Sequence, residues 1–269
     1  MDPLPHPRYR GAMAKLDIIA NEAARREPAA PRLGILMLDT RFPRIDGDLG
    51  NPETFPFPVL IARIAGATPQ RVVDEQAAGL LDPFIEGGRA LVREGAAAIA
   101  TTCGFLSLFQ RPLAERLGVP VAASSLLLVP LVERLLPTGR RAGIITFSKE
   151  KLTAEHLAAV GAATDTPVEG LPEQGVFATI VREGRTTLDP RRVGAEVLGA
   201  GKRLVAAHPE VGAFVIECTN LPPYSEALRA ALRLPVYDGY DFFQWVYASL
   251  RASRRFLADA PAAETAAAD

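Results

Sequence analysis

Two stretches of this chain, residues 95–121 and 211–237, follow one plan. The first reads GAAAIATTCGFLSLFQRPLAERLGVPV and the second VGAFVIECTNLPPYSEALRAALRLPVY. In each, an apolar strand ends in a cysteine, an amphipathic helix follows, and a short strand beginning Pro-Val comes after it. Seventeen positions separate Cys103 from Pro120, and seventeen separate Cys218 from Pro235. Three features in one register imply two similar α/β lobes. Each presents one cysteine at the C-terminal edge of its sheet, the edge where open α/β sheets bind ligands.

The rest of the chain agrees. Apolar runs bounded by turn residues alternate with stretches of helical period, the pattern of an α/β fold with mainly parallel sheets. Strands are expected at Leu33–Leu38, Val59–Ile64, Ala96–Ala100, Val119–Ala122, Ala142–Thr146, Ala213–Ile216 and Val236–Tyr237. Helices are expected at Pro83–Glu94, Pro112–Leu117, Lys151–Val160, Pro190–Ala207, Ser225–Leu232 and Phe242–Phe256. A connection near Leu127–Gly139 would carry the chain from one lobe to the other.

Charge and composition remove several classes of function. Thirty basic against thirty-one acidic residues give a net charge of −1, so no broad field draws nucleic acid or an anionic membrane. The most apolar long stretch, Val121–Leu136, carries Ser124, Ser125, Glu133 and Arg134, which disqualifies it as a membrane span. Met1–Arg32 has no apolar core of the signal-peptide kind. A cytoplasmic protein is expected, whose two cysteines stay reduced.

The chemistry then concentrates at those cysteines. Each ends a strand and precedes an expected helix N-terminus, where free N–H groups and the helix dipole favour an anion. A thiol of ordinary pKa, about 8.5, is only slightly ionised near neutrality. A dipole effect of roughly 1 kcal/mol would lower it by somewhat under one unit. Thr101, Thr102, Thr219 and Asn220 set hydrogen-bonding groups beside the sulfurs, and the same groups suit a carboxylate. Two opposed thiols suit inversion of a carbon next to a carboxylate: one removes a proton from one face while the other delivers one to the opposite face. With each sulfur about 3–3.5 Å from that carbon, the two would stand roughly 6–7 Å apart. That is too far for a disulfide.

These residues resemble the aspartate/glutamate racemase superfamily, which also includes hydantoin racemases and arylmalonate decarboxylases. The likeness runs from about Leu33 to Phe256, and Thr102-Cys103 and Cys218-Thr219 at two strand ends are its most specific part. It implies two pseudo-symmetric lobes with the active site in the cleft between them, and racemisation of a small carboxylic acid without pyridoxal phosphate, metal or other cofactor. The first lobe would comprise residues 31–127 and 240–258, the last helix packing back upon it, and the second 128–239. Residues 1–30 would be an extension and 259–269 a disordered tail. Association through the helices flanking the sheets is a further implication.

Residue by residue, Asp39-Thr40 is similar to the family's Asp-Ser after the first strand, and Thr146 to its threonine after the lobe crossover. Glutamate racemases follow the first cysteine with Asn-Thr; Gly104-Phe105 stands here, which offers a backbone N–H and a more apolar pocket. They follow the second with Thr-His, where Thr219-Asn220 removes an imidazole relay and puts glutamate itself in doubt. Catalysis is thus expected from Cys103 and Cys218. Substrate contacts are expected from Asp39, Thr40, Thr102, Gly104, Phe105, Ser125, Thr146, Thr219 and Asn220.

The polar loop Asp46–Thr54 reads either as a solvated turn or as a lid in which Asn51 and Thr54 touch substrate. Its acidic residues lack calcium-loop spacing, and none of the three histidines neighbours a candidate ligand, so no metal is expected. Gly87-Gly88 reads as a close-packing site rather than a phosphate cradle. Glu217, just before Cys218, fits the core poorly. It could orient an amino group or raise a neighbouring thiol's pKa, and a surface salt bridge is an equal alternative. Two other functions stay open: a single-thiol isomerase or decarboxylase, and a carboxylate-binding protein without catalysis.

Overall fold

The computed structural model describes residues 16–251. Within them lie two sheets of the same design. In the first, β2 (Arg32–Met37) pairs in parallel with β3 (Val59–Arg63) on one side and β4 (Ala96–Thr101) on the other, and β4 pairs with β5 (Val121–Ala122). In the second, β6 (Arg141–Thr146) lies between β7 (Val168–Gly170) and β8 (Val211–Ile216), and β8 pairs with β9 (Val236–Tyr237). The order β3-β2-β4-β5 therefore repeats as β7-β6-β8-β9. Even the irregularity repeats, since the central strands slip register at Arg32/Leu33 and at Arg141/Ala142. The fold is α/β, with two pseudo-symmetric, mainly parallel sheets flanked by helices.

The central strands share a sequence cause. Arg-Leu-Gly-Ile-Leu in β2 matches Arg-Ala-Gly-Ile-Ile in β6. The glycine lets a helix approach closely in both lobes. A methyl on Gly34 would stand 2.6 Å from Ile99 and 3.1 Å from Leu91 of α2 (Leu81–Arg93). One on Gly143 would stand 2.9 Å from Leu204 of α7 (Pro190–Ala207). Gly87 and Gly88 likewise meet Ile64 and Leu117 at under 3 Å, which makes them packing sites.

The strands lie where expected to within two residues, with two additions. Residues 18–26, assigned to the N-terminal extension, form β1 (Ile18–Ala20), antiparallel to β3, and the short helix α1 (Glu22–Arg26). Asn21 between them is fully buried and donates to the carbonyls of Phe55 and Phe57, which anchors the segment. The three-residue β7 was too short to register as a pattern. Two more helices form beyond those expected, α4 (Leu128–Leu135) within the segment read as a connection and α6 (Val176–Glu183) after β7. Conversely, the helix expected over Lys151–Val160 shrinks to α5 (Ala154–Ala158), because Thr153 and His156 form a capping box that fixes its start.

Helix α3 (Gln110–Leu117) follows the first cysteine and α8 (Ser225–Leu232) the second. The last described helix, α9 (Gly239–Leu250), packs on the first lobe, where Tyr247 stacks on Phe57 at 4.1 Å and Phe243 on Phe55 at 6.2 Å. The expected tail at 259–269 and the helix end at 252–256 lie outside the described residues. None of the described helices is long and apolar enough to cross a membrane.

Candidate functional site

β4 and β8 end at equivalent places, and the cysteines that follow them line one cleft. Cys103 and Cys218 are both free thiols, and the cleft they share is partly enclosed. The cleft opens into a wider groove between residues 39–42 and 68–74 of the first lobe and 147–184 of the second. Its mouth is polar, with Asp39, Arg41, Lys151 and Arg182, and its inner walls are apolar, with Leu38, Phe42, Val73, Phe105, Phe147 and Val181.

Contacts between lobes hold the floor. Thr219 Oγ1 donates to the carbonyl of Thr102 at 2.6 Å, joining the residues beside the two cysteines. Ser125 Oγ donates to the carbonyl of Ile216 at 2.7 Å. The Leu49 N–H reaches the carbonyl of Thr219 at 3.1 Å, and Asn220 Nδ2 donates to Asp48 Oδ2 at 2.9 Å.

Of the residues expected to touch substrate, Thr40, Thr102, Gly104, Phe105, Thr219 and Asn220 line the inner cleft. Asp39 lines only the outer groove, its carboxylate accepting from the Gly66 N–H at 3.0 Å. Four others stand behind the wall. Asn51 caps the 3-10 turn Pro52–Thr54, and Thr54 Oγ1 bridges the Gly47 N–H and the Asp48 carbonyl. Ser125 is buried against β8, and Thr146 is buried beneath Glu217. The loop Asp46–Thr54 thus knits itself together and offers the cleft no side chain.

Arg44 was not singled out in the sequence, where it is one of several arginines in a proline-broken segment. It lines the inner cleft, lies over the Phe42 ring at 4.3 Å, donates to Thr40 Oγ1 at 2.7 Å and pairs with Asp48 Oδ1 at 2.9 Å. Gly50 leaves room for it, since a methyl there would stand 2.7 Å from the guanidinium. Asp48, 2% exposed, also accepts from the Gly50 N–H at 2.7 Å. This network holds a partly buried cation on the cleft that both cysteines line.

Glu217 corrects the surface reading. It is 1% exposed, lines the cleft, and no cation pairs with it among the described residues. Thr146 Oγ1 donates to its Oε2 at 2.6 Å, while its Oε1 has no hydrogen-bond partner. Burial pushes its pKa up to about 7, against the opposing pull of the Thr146 hydroxyl and the Phe147 N–H.

The thiols do not behave as the strand-end position suggested. N–H groups do reach them: those of Phe105 and Leu106 favour the Cys103 thiolate, and that of Asn220 favours the Cys218 thiolate. Burial and then the Glu217 charge outweigh these donors, so both pKa values lie well above the ordinary thiol value. The elements after the cysteines explain the weak donors. Cys103 leads into a 3-10 stretch, Gly104–Phe109, and Cys218 into a turn and a short 3-10 segment, so neither faces an α-helix N-terminus directly. The Cys218 thiol donates to Asn220 Oδ1 at 3.6 Å, which holds it in the protonated form. Among the described residues no cluster of histidine, cysteine and carboxylate side chains could hold a metal ion.

No protein-family model matches the chain. It is 29% identical to a dimethylsulfoniopropionate lyase of Durusdinium sp. clade D over 226 residues, 78% of this chain and 73% of that protein. It is also 29% identical to dimethylsulfoniopropionate lyase 6 of Emiliania huxleyi over 236 residues, 84% of this chain but only 61% of the relative's length. Among solved structures, arylmalonate decarboxylase superposes with a TM-score of 0.54 at 18% identity, covering 82% of this chain and 92% of that one. Allantoin racemase from Klebsiella pneumoniae gives 0.55 at 17% identity, with 82% and 87% covered. An aspartate racemase of Picrophilus torridus gives 0.50 at 12% identity, with 82% and 94% covered. The chain thus shares the two-lobed α/β fold of arylmalonate decarboxylase and allantoin racemase.

Proposed function

We propose that the chain is an enzyme that removes the proton alpha to the carboxylate of a small acid, using Cys103 and Cys218 as its acid/base groups, and then expels a substituent from the β carbon. The observation that carries this reading is the convergence of two free thiols, one from each lobe, on a single apolar-walled cleft. The substrate carboxylate would sit against Arg44, the Thr102 hydroxyl and the Asn220 amide, polar groups that share this cleft with the sulfurs. One thiolate takes the α proton and becomes a thiol. The C–H electron pair forms a carbon–carbon double bond as the bond to the β substituent breaks, and the substituent leaves with its own electron pair. A β-sulfonio acid would give a neutral sulfide and an α,β-unsaturated carboxylate.

Elimination is favoured over inversion by sequence likeness to dimethylsulfoniopropionate lyases across most of the chain. Inversion, the outcome expected from the sequence, is the second reading. It is favoured by the presence of two thiols on opposed lobes, because elimination needs only one base. Product analysis separates the two. Incubation with dimethylsulfoniopropionate should release dimethyl sulfide and acrylate in equal amounts. Failure to do so, alongside loss of optical rotation from a single-enantiomer amino acid or hydantoin, would move the assignment to a racemase.

A further inference from the structure

Among the described residues, no cation balances the Glu217 carboxyl in the cleft. Arg44 is already neutralised by Asp48 at 2.9 Å, so the pair contributes no net charge. Glu217 has no such partner. Its Oε2 takes a hydroxyl donor from Thr146, its Oε1 has none, and it lines the cleft at 1% exposure. An ionised carboxylate buried this way is costly unless a cation meets it. The protein keeps it beside two thiols whose ionisation it opposes.

We propose that Glu217 is the counter-charge for a cationic group on the ligand, so that the cleft takes small acids carrying an ammonium or sulfonium centre as well as a carboxylate. This rests on reading the cleft as a small-acid site, and it assigns Glu217 as the residue that sets specificity. Phe105 and Phe147, which line the same cleft, offer ring faces for an alkylated cation. The cation would also relieve the thiols: its positive charge offsets that of Glu217 and lowers the cost of forming a thiolate beside it. A neutral acid of the same shape would leave the carboxylate unpaired.

The groups bearing on Glu217 are few. Cys103 and Cys218 feel its charge, Arg44 and Asp48 act on the thiols from the first-lobe loop, and the end of β6 supplies only the Thr146 hydroxyl and the Phe147 N–H. His156, behind Phe105, is held neutral by burial. With both thiols titrating far higher, Glu217 is the group that changes charge near neutrality. Its ionised form binds the cation, so affinity for a cationic acid should rise as pH rises through about 7 and then level off.

Three isosteric acids test this by calorimetry in the intact protein: dimethylsulfoniopropionate, N,N-dimethyl-β-alanine and neutral 4-methylpentanoate. Binding of the first or second roughly tenfold or more tighter than the third at about pH 8, with the advantage shrinking toward about pH 6, is the expected result. The first two arms separate sulfonium from ammonium preference. In Glu217→Gln, which keeps an acceptor for Thr146, the advantage should fall to about twofold and lose its pH dependence. If that variant does not fold, the pH dependence in the unaltered protein decides alone. Equal, pH-independent binding of all three acids overturns the counter-charge while leaving a small-acid site. No binding of any acid overturns both.

Discussion

The space above Gly104 belongs to Glu217. A methyl group on Gly104 would stand 2.1 Å from Glu217 Oε1 and 2.6 Å from both its Cδ and its carbonyl oxygen. No side chain fits there while the carboxyl is in place, and the two residues come from opposite lobes. The glycine that replaces asparagine after the first cysteine is thus the complement of the acid that precedes the second.

Gly104→Ala should therefore destabilise the protein by about 1–3 kcal/mol, the usual cost of overpacking a filled interior. Glu217→Ala in the same chain should recover part of the loss, because the Glu217 carbonyl still crowds the new methyl. Denaturant unfolding of the four proteins of the double-mutant cycle measures the coupling. Strict additivity would show that the two side chains do not compete for this space.

Burial of Glu217 has a second consequence, for stability against pH. Its folded pKa of about 7 lies above the ordinary 4.5, so the native state binds the extra proton. Stability from this group is complete below about 4.5, falls as pH rises through about 7, and amounts to a loss on the order of 3 kcal/mol. Glu217→Gln should flatten that slope and be the more stable protein at about pH 8. Equal pH slopes in the two proteins would contradict the shift.

The first-lobe cation is held as tightly as the acid is left free. Arg44→Met removes the partner of a buried Asp48 and should cost about 3 kcal/mol in thermal unfolding. Affinity for any small acid should fall roughly tenfold or more with it. A variant that unfolds earlier yet binds acids unchanged would leave Arg44 a purely structural residue.

Thiol chemistry reads the same field from another side. With Cys103 and Cys218 both shifted well above the ordinary thiol range, iodoacetamide should alkylate the folded protein far more slowly at neutral pH than a free thiol. Glu217→Gln should speed the reaction. Mass spectrometry of labelled peptides assigns the rates, and Cys103, the more exposed sulfur, should react before the buried Cys218. Fast labelling of both at neutral pH would contradict the raised values.

Much of this was legible in the chain. The register of cysteine, helix and Pro-Val strand announced two matching sheets, because strand ends and turns leave local, periodic signals. The second half of the repeat, Arg-x-Gly-Ile in β2 and β6, went unnoticed because one small residue within an apolar strand has no periodicity of its own. Strand β1 and Asn21 were hidden because three residues form no pattern, and their order comes from Asn21 reaching the carbonyls of Phe55 and Phe57, more than thirty positions away. Helix α4 was passed over because it is short and falls in the segment read as a connection, and α6 because it is equally short.

At the site, residues next to the cysteines in sequence line the cleft, as Thr102, Gly104, Phe105, Thr219 and Asn220 do. Residues placed by position along a loop do not, and Asn51 and Thr54 bond their own turn instead. Arg44 and the burial of Glu217 depend on packing between lobes. Only Glu217 left a trace in the sequence, as a charge at the end of an apolar strand.

The central claim, a thiol pair that moves a proton alpha to a carboxylate, has a direct measurement. The reduced protein is incubated in D₂O with dimethylsulfoniopropionate and with single enantiomers of amino acids, hydantoins and hydroxy acids, and proton NMR follows the α hydrogens. Cys103→Ser and Cys218→Ser are run alongside. The account predicts loss of the α signal for at least one acid, as exchange, inversion or elimination, and its disappearance or collapse by several orders of magnitude in at least one of the serine variants. Turnover that survives both substitutions, or tight binding with every α hydrogen retained, would contradict it.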